Sequence, residues 1–202
     1  MGITERKDRE KQEMIDLILN ESMKLFIAEG YENITMRKIA DKIEYSPTTI
    51  YLYFKDKSEI LYSLLNMAFD KFYEAQMSIQ SIPDSKERLL AHGLAYVNFA
   101  KENPHYYDLM FILKDPTENM NCPDDWISST RTYEILKTNI KQCISDGYIE
   151  ETDTEVIAFT LWSLVHGIAS LIIKRGFMIP EPFREYLVYN SIKFAFKGLF
   201  LK

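Results

Sequence analysis

Apolar residues recur at three- and four-residue spacing along almost the whole chain, and nowhere do they alternate with a period of two for long enough to form a convincing strand. In the first long stretch, roughly Glu5 to Glu29, one apolar stripe collects Met14, Leu17, Ile18, Leu25 and Phe26. Gly30 follows this stripe as a helix stop. The pattern predicts an all-α chain of about nine helices.

Two short predicted helices come next. Thr35 is suited to cap a helix over Met36 to Ile43, because its hydroxyl can accept from the first free backbone amides. Ser46 followed by Pro47 is a strong start signal for another helix that runs to about Tyr53. Two short helices joined by a tight turn, with a longer helix before them, form the helix-turn-helix arrangement, whose second helix can enter a DNA major groove.

Longer helices are predicted beyond this segment. The first begins near Lys57, and the stretch Lys114 to Asn121 is predicted as a loop. We therefore expect an N-terminal three-helix domain over residues 1–56 and a C-terminal helical domain over residues 57–202. The later predicted helices are Lys86 to Glu102, Pro104 to Leu113, Pro123 to Ser145, Thr154 to Arg175 and Glu181 to Phe200.

The charge of the chain is unevenly distributed. A net charge of −6 and a pI of about 5.2 argue at first sight against a nucleic-acid partner, because duplex binding depends on Lys and Arg neutralising phosphates. Between Ile34 and Lys57, however, there are five basic and three acidic residues. Residues 1–57 hold 10 basic and 11 acidic side chains, and residues 58–202 hold 14 and 19. Most of the acidity therefore lies outside the helix-turn-helix segment.

Nothing in the sequence indicates an enzyme, a metalloprotein or an exported protein. The only cysteines, Cys122 and Cys143, are too few for a disulfide framework or a structural zinc site. The histidines His92, His105 and His166 fall in different predicted helices, with no acid at metal-ligand spacing and no nucleophile motif. No apolar run approaches the roughly 18 residues that span a bilayer. We expect a cytoplasmic protein with no catalytic residue, cofactor, metal or membrane partner.

Side chains suited to DNA contacts gather on the two short helices. Short hydroxyl side chains near helix N-termini favour a phosphate, and tyrosines reach further at a small cost in rotamer entropy. The competing interpretation is that the aromatic residues are packing in a three-helix unit and the lysines form a solvated face. The hydroxyl, tyrosine and basic residues concerned are Thr35, Ser46, Thr48, Thr49, Tyr51, Tyr53, Arg37, Lys38, Lys42, Lys55 and Lys57.

This segment resembles the N-terminal signature of the tetracycline-repressor (TetR) family of one-component bacterial regulators. The resemblance rests on Glu29 to Ala40, on Ser46 to Lys57 and on Glu59-Ile60-Leu61, and it covers roughly residues 10 to 65 without a gap. It implies that Thr35 and the first turn of its helix, which includes Arg37, contact phosphate. It further implies that the residues at the start of the second helix approach the groove and that Tyr51 bonds a phosphate, while Tyr53 and Lys57 meet the backbone or adjacent bases. The residues that approach the groove are Ser46, Pro47, Thr48 and Thr49.

Two positions of the recognition helix depart from the family pattern. Family members often have a small residue, commonly Gly, where this chain has Thr48, and a basic or polar residue where it has Pro47. The helix therefore offers few side chains that read guanine or adenine through two hydrogen bonds. We expect methyl contacts to thymine and DNA shape to contribute much of the selectivity.

The C-terminal part resembles one TetR subgroup with a Trp-x-x-x-His-Gly signature. That signature is found here at Trp162, His166 and Gly167, and Asn103 to Phe111 and Asp146 to Ile149 are similar to its other landmarks. His166 is then either a ligand-binding or pH-sensing group at a pocket wall or a core imidazole beside the indole, satisfied by a neighbouring hydroxyl or carbonyl. In the second case Gly167 would let another helix approach closely.

Aromatic residues and a methionine cluster in the middle helices. For each of them ordinary core packing is the competing interpretation, but together they suit a sizeable, mostly apolar pocket for a small-molecule inducer. The candidate ligand-binding residues are Tyr96, Tyr107, Met110, Phe111, Trp126, Tyr133, Trp162 and His166.

The last two predicted helices are apolar on nearly every side, which favours a partner surface. The family resemblance implies a homodimer formed through Thr154 to Arg175 and Glu181 to Phe200. Two recognition helices about 34–36 Å apart would then enter successive major grooves of a pseudo-palindromic operator. We expect a repressor that a small, largely apolar inducer releases from DNA. The alternative is a helical small-molecule-binding or enzymatic protein that does not use its N-terminal domain for DNA.

Overall fold

The computed structural model describes residues 3–113, 127–175 and 178–200, and this part of the chain contains nine α-helices, one 3-10 turn (Tyr31–Asn33) and no strand. The predicted all-α fold is therefore confirmed. The helices are α1 (Ile3–Glu29), α2 (Met36–Lys42), α3 (Pro47–Tyr51), α4 (Lys57–Met77), α5 (Ser85–Glu102), α6 (Pro104–Phe111), α7 (Ile127–Ser145), α8 (Thr154–Arg175) and α9 (Glu181–Lys197).

The chain separates into two compact units. One comprises residues 1–68 and 105–124, and the other comprises residues 69–104 and 125–202. Helix α4 contributes its first part to one unit and its last part to the other. The division into a DNA-binding domain over residues 1–56 and a ligand-binding and dimerisation domain over residues 57–202 concerns function, and it stays a prediction.

Helix starts and stops in the first unit follow the predicted signals. The Thr35 hydroxyl accepts from the Lys38 amide at 3.2 Å, and the Ser46 hydroxyl accepts from the Thr49 amide at 3.1 Å. Each cap satisfies an amide that the helix itself leaves unpaired, a contribution of about 1 kcal/mol. Gly30, after α1, has a φ of +80°, a left-handed conformation that glycine adopts without steric cost.

The turn between α2 and α3 contains a left-handed residue that is not glycine. Glu44 has a φ of +60°, the only positive φ among the non-glycine residues that the structure describes. The Tyr45 amide donates to the Ala40 carbonyl at 3.0 Å, and the Glu44 amide lies 3.4 Å from the Asp41 carbonyl. This is the Schellman arrangement, which pairs the last carbonyls of α2 and directs the chain into α3.

The core of the first unit is almost entirely apolar. Helix α1 packs against α2 and against the 3-10 turn, and α2 packs against α3. The burial of each large aliphatic or aromatic side chain contributes about 1.5–3 kcal/mol relative to exposure. The fully buried residues with less than 2% exposure include Ile18, Phe26, Ile34, Ile39 and Ile50.

Helix α5 is central to the second unit. It packs against α7, α8 and α9, while α7 packs against α8 and α8 against α9. Gly93 lies at a tight contact, because a Cβ added there would lie 3.3 Å from Ile192 Cγ2 and 3.4 Å from Val165 Cγ1, and these side chains would have to shift by a few tenths of an ångström. Cys143 is buried, and its thiol donates to the Ser85 carbonyl.

The second core also contains a polar network. Arg88 Nε donates to Asn139 Oδ1 at 3.2 Å, so the Asn139 amide nitrogen, 3.2 Å from His92 Nδ1, donates to the imidazole. The other ring nitrogen lies 3.3 Å from the Gln76 side-chain amide. Burial lowers the pKa of His92 to about 4, and the ring is therefore neutral at pH 7.

Some boundaries differ from the predictions. Helix α3 ends at Tyr51, before the predicted Tyr53, and α9 ends at Lys197, before the predicted Phe200. Leu17 is 37% exposed, and Leu19 is buried instead. Several predictions fall outside the described residues: the loop over 114–121, the helix start at Pro123, and Trp126 as a candidate ligand-binding residue.

The sequence predicts that no apolar segment is long enough to span a bilayer, and this prediction is wrong when only length and composition are considered. Helix α8 is long and apolar enough, because Ser163, His166 and Ser170 interrupt its apolar run without making the helix polar on average. The same criterion is met by core helices of soluble proteins. Only 33% of the most apolar 18-residue segment of α8 is buried within this chain, so most of that segment is partly or fully accessible.

Candidate nucleic-acid interface

Helices α2 and α3 present a row of short hydroxyl side chains. Thr35, Ser46 and Thr48 are exposed, and Thr49 is half-buried. The Ser46 and Thr49 hydroxyl oxygens lie 2.9 Å apart, and both Thr35 and Ser46 also accept from backbone amides of their own helices. These bonds fix the orientation of the hydroxyls before any partner arrives.

The five predicted cations of this surface differ in their exposure and in their partners. Arg37, Lys42 and Lys55 are exposed and have no ion-pair partner within the described ranges. Lys38, by contrast, forms an ion pair with Glu29. The Lys57 ammonium donates to the Tyr31 carbonyl at 2.9 Å and is half-buried.

The aromatic residues of this segment separate into two groups. Phe54 is only 6% exposed, so for this residue the interpretation as core packing is correct. Tyr51 is 55% exposed, and its hydroxyl has no hydrogen bond to any residue that the structure describes. Tyr53 is half-buried, as is Pro47 at the first position of α3. Tyr51 is therefore the aromatic residue best placed to reach a partner.

In the second unit, Tyr96 and His166 are brought together. The Tyr96 hydroxyl lies 3.1 Å from His166 Nδ1, and the Tyr96 ring makes an edge-to-face contact with Phe72, with centroids 5.3 Å apart. Burial lowers the pKa of His166. His166 thus has the neighbouring hydroxyl that one of its two interpretations requires. The Trp162 ring contacts the rings of Tyr133 and Phe159, with centroids 6.0 and 6.4 Å apart.

The other candidate ligand residues lie elsewhere. Tyr107, Met110 and Phe111 belong to α6, in the first unit, where the rings of Tyr107 and Phe111 are 5.5 Å apart and Tyr107 is fully buried. Two cavities of about 1290 and 510 Å³ occur in the second unit, the larger along α5 and α9 and the smaller along α4 and α5. None of the candidate ligand residues is among those that line these two cavities.

Helices α8 and α9 expose large apolar side chains. Phe159 of α8 is 63% exposed and Phe194 of α9 is 81% exposed. Gly167 has no atom within 4 Å of the position that a Cβ would take, so among the described residues no helix approaches it closely. The other large, exposed apolar residues of the two helices are Val156, Leu171, Phe183, Tyr186, Leu187 and Tyr189.

Within the described residues, no group of three His, Cys, Asp or Glu side chains is arranged to hold a metal ion. Two features were missed by the sequence analysis. His92 shares the buried stripe of α5 with Leu89, Tyr96 and Val97, and a titratable residue on such a stripe is a signal for a buried polar network. The contact of Tyr31 with Lys57 has no comparable signal, because the two residues are far apart in the sequence.

Two families match this chain. Residues 18–64 match the family described as "Bacterial regulatory proteins, tetR family", and residues 89–188 match "Tetracyclin repressor-like, C-terminal domain". The first range includes α2, α3 and the start of α4, and the second includes most of α5 together with α8. Both halves of the chain are therefore similar to the corresponding halves of TetR regulators.

Two regulators are similar to this chain over most of its length. The "Uncharacterized HTH-type transcriptional regulator YobS" of Bacillus subtilis (strain 168) is 27% identical over 187 residues, 92% of each chain. The HTH-type transcriptional regulator HbdR of Aromatoleum sp. (strain CIB) is 24% identical over 154 residues, 74% of this chain and 66% of HbdR.

Solved structures show the same fold. The TetR family transcriptional regulator PfmR from Thermus thermophilus superimposes with a TM-score of 0.70 at 21% identity, covering 87% of this chain and 91% of PfmR. A TetR family transcription regulator from Marinobacter aquaeolei gives a TM-score of 0.73 at 17% identity, covering 98% and 100%.

Proposed function

This chain belongs to the TetR family of transcriptional regulators, which are not enzymes, and we propose that it is a cytoplasmic repressor. In this proposal a homodimer binds a pseudo-palindromic DNA operator and is released by a small, largely apolar inducer. Its C-terminal part belongs to the Trp-x-x-x-His-Gly subgroup, because Trp162, His166 and Gly167 have the required spacing on α8.

The observation that supports operator binding best is the exposed hydroxyl row of α2 and α3 with unpaired cations beside it. Hydroxyls that are already oriented can bond phosphates at a small entropic cost, and the cations beside them add attraction for the phosphate charge. The proposed backbone contacts are made by Thr35, Arg37, Tyr51 and Lys57. The proposed groove contacts are made by Ser46, Pro47, Thr48 and Thr49, and Tyr53 contacts the backbone or adjacent bases.

Dimerisation is proposed through α8 and α9. The exposed residues Phe183, Tyr186, Leu187 and Phe194 recur at spacings of three, one and seven, which places them along one side of α9. Gly167 supports a close approach by a partner helix, since glycine inside a helix costs about 1 kcal/mol relative to alanine and no contact within the described chain requires it.

For the inducer we propose contacts with Tyr96, Tyr107, Met110, Phe111, Trp126, Tyr133, Trp162 and His166. Helix α4 contributes to both compact units, so a ligand that favours one position of α4 can alter the DNA-binding segment. A differential affinity of about 1–3 kcal/mol between two states changes operator affinity by roughly 5- to 150-fold.

The test is a selection of binding sites from a random duplex library with the full-length chain. We expect enrichment of a palindrome with half-site centres about 10 base pairs apart or a multiple of that spacing, and affinity that falls steeply with added salt. A library without enrichment would instead support the alternative, a helical ligand-binding protein that does not use its N-terminal domain for DNA.

The inducer is tested on the selected DNA. A panel of apolar small molecules is screened for release of the bound fragment, and any active molecule is tested again on Trp162→Ala. We expect the substitution to abolish release while leaving DNA affinity unchanged. If no molecule releases the DNA, the protein is a repressor that acts without a ligand.

A further inference from the structure

Tyr31, in the 3-10 turn between α1 and α2, is bonded to the first turn of α4. Its hydroxyl lies 2.9 Å from the Ser58 hydroxyl, although the two residues are 27 positions apart. The side chain is only 9% exposed, and its ring packs against Phe26 with centroids 5.4 Å apart. Burial, the main cause, raises the pKa of Tyr31, so its hydroxyl stays protonated at neutral pH. The ring is therefore a fixed part of the core of the first unit.

Tyr31 also holds the side chain of Lys57. The Lys57 ammonium donates to the Tyr31 carbonyl at 2.9 Å and lies 4.2 Å from the centroid of the Tyr31 ring. A free lysine side chain has many rotamers, and these two contacts select one of them. Lys42 and Lys55 differ, because both are exposed and have no ion-pair partner in the described part of the chain.

We propose that Tyr31 is a positioning residue for operator binding, which acts by holding the Lys57 ammonium in the place where it meets a phosphate. The inference rests on the proposed function, in which Lys57 contacts the DNA backbone. An ammonium has three N–H donors. One goes to the Tyr31 carbonyl, and the others stay available for phosphate oxygens.

A Lys57 side chain that is already ordered in the free protein lowers the entropic cost of binding DNA. A rotamer-rich side chain that is ordered only on binding weakens an interface by roughly 2- to 12-fold, and a side chain that is already ordered avoids this loss. Replacement of the Tyr31 ring removes one of the two contacts that hold Lys57 and keeps the other, which goes to the backbone carbonyl, so operator affinity should fall by the lower part of this range, at least about 2-fold. The number of charges at the interface would not change, so the dependence of affinity on salt should stay the same.

The experiment is a double-mutant cycle on the selected operator, with binding of the full-length chain measured over a range of salt concentrations. We expect Lys57→Met to lower the affinity and to reduce the salt slope by about 0.9 per protomer, because one phosphate contact is lost. We expect Tyr31→Leu to lower the affinity by at least about 2-fold with an unchanged slope. In the Lys57→Met background, Tyr31→Leu should have no further effect.

Matched variants separate positioning from general damage. Tyr31→Phe keeps the ring that contacts Lys57 and removes only the hydroxyl near Ser58, so it should retain the salt slope and most of the affinity. In a Lys42→Met background, Tyr31→Leu should still cause its full loss of affinity, because Lys42 has no contact with Tyr31. An equal loss in the Lys57→Met background would overturn the proposal, since Tyr31 would then act on the fold alone.

A measurement on the unaltered chain covers the case in which Tyr31→Leu fails to fold. The ε-methylene protons of Lys57, identified by their absence from Lys57→Arg in a lysine-labelled sample, should be shifted upfield by the Tyr31 ring current. Tyr31→Phe should keep this shift. An unshifted signal would overturn the proposal. A chain that selects no DNA at all would instead contradict the proposed function, so the two failures are distinguishable.

Discussion

The segment around α2 and α3 and the exposed sides of α8 and α9 are both open surfaces, but their chemistry is opposite. The first presents hydroxyls and cations, such as Ser46 and Arg37, which water solvates well. The second presents large apolar side chains, such as Phe159 and Phe194, whose exposure costs about 25 cal/mol per Å². The first surface therefore needs a partner only for function, whereas the second also gains stability when a partner covers it.

The largest effect is expected from a charge on the apolar surface. Phe194→Glu places a carboxylate at a residue that is 81% exposed in the single chain but lies inside the proposed dimer interface. An unpaired carboxylate buried there would weaken dimerisation by several kcal/mol, more than about a hundredfold. Sedimentation equilibrium should show a monomer, and operator binding should be lost with it.

Phe194→Leu is the matched control, because it keeps an apolar side chain at the same position and should leave the dimer intact. The helical circular dichroism spectrum of the Phe194→Glu chain should stay close to that of the unaltered chain, since this side chain makes few contacts within its own unit. A Phe194→Glu chain that remains dimeric would show that α9 does not form the interface.

The two units also differ inside, and the second prediction uses this difference. The second core holds His92, whose pKa of about 4 is well below the ordinary 6.5 because the neutral ring is buried. In the unfolded chain the ring takes up a proton as the pH falls below about 6.5, so acid favours unfolding. Between pH 7 and pH 4.5 this residue should remove about 2–3 kcal/mol of stability. Urea denaturation of His92→Gln should lack that loss.

His105 provides the comparison within the same chain. It is exposed on α6, in the first unit, so His105→Gln should show the same loss of stability between pH 7 and pH 4.5 as the unaltered chain. If His92→Gln and the unaltered chain lost equal stability over this range, the buried imidazole would not be the group responsible.

The first unit was more predictable from the sequence than the second, for a physical reason. Its helix limits depend on local chemistry, such as the hydroxyl cap of Ser46 and the glycine stop at Gly30, and local chemistry can be identified within a few residues. Even there, the prediction for Leu17 is wrong. Nearby residues at the edge of an apolar stripe differ in burial only through the side chains that pack against them, and the sequence of one helix does not identify those side chains.

In the second unit, long-range packing decides most of the details. The contact of Tyr96 with His166 joins two helices 70 residues apart, and the polar network around His92 draws on three helices. Residue spacing within one helix contains no information about which partner lies opposite. The apolar excess of α8 and α9 was predictable because composition alone determines it.

The third prediction concerns the polar surface. Tyr51→Phe removes a hydroxyl that is available to a phosphate, and the loss of one hydrogen bond to a charged group should weaken operator binding by about tenfold. The salt slope should be unchanged, since no charge is removed. Tyr45→Phe is the control, because Tyr45 is similarly exposed, at 44%, but is not among the proposed contacts. Equal losses in the two variants would contradict a specific role for Tyr51.

The smallest expected effect tests whether the polar surface is built on a strained backbone. Glu44 adopts a φ of +60°, which costs an L-residue about 1–2 kcal/mol, while glycine in the unfolded chain costs roughly 0.5–1 kcal/mol of extra entropy. Glu44→Gly should therefore stabilise the chain by about 0.5–1 kcal/mol in urea denaturation.

Glu44→Gln removes the same charge but keeps the Cβ atom, so it should leave the stability unchanged. If Glu44→Gln stabilised the chain as much as Glu44→Gly, charge repulsion rather than backbone strain would be the cause. Removal of the carboxylate from an exposed turn beside the hydroxyl row should strengthen DNA binding equally in both variants. The two readouts together separate the effect of the Glu44 backbone conformation on the stability of this unit from the effect of the Glu44 charge on the proposed binding of DNA.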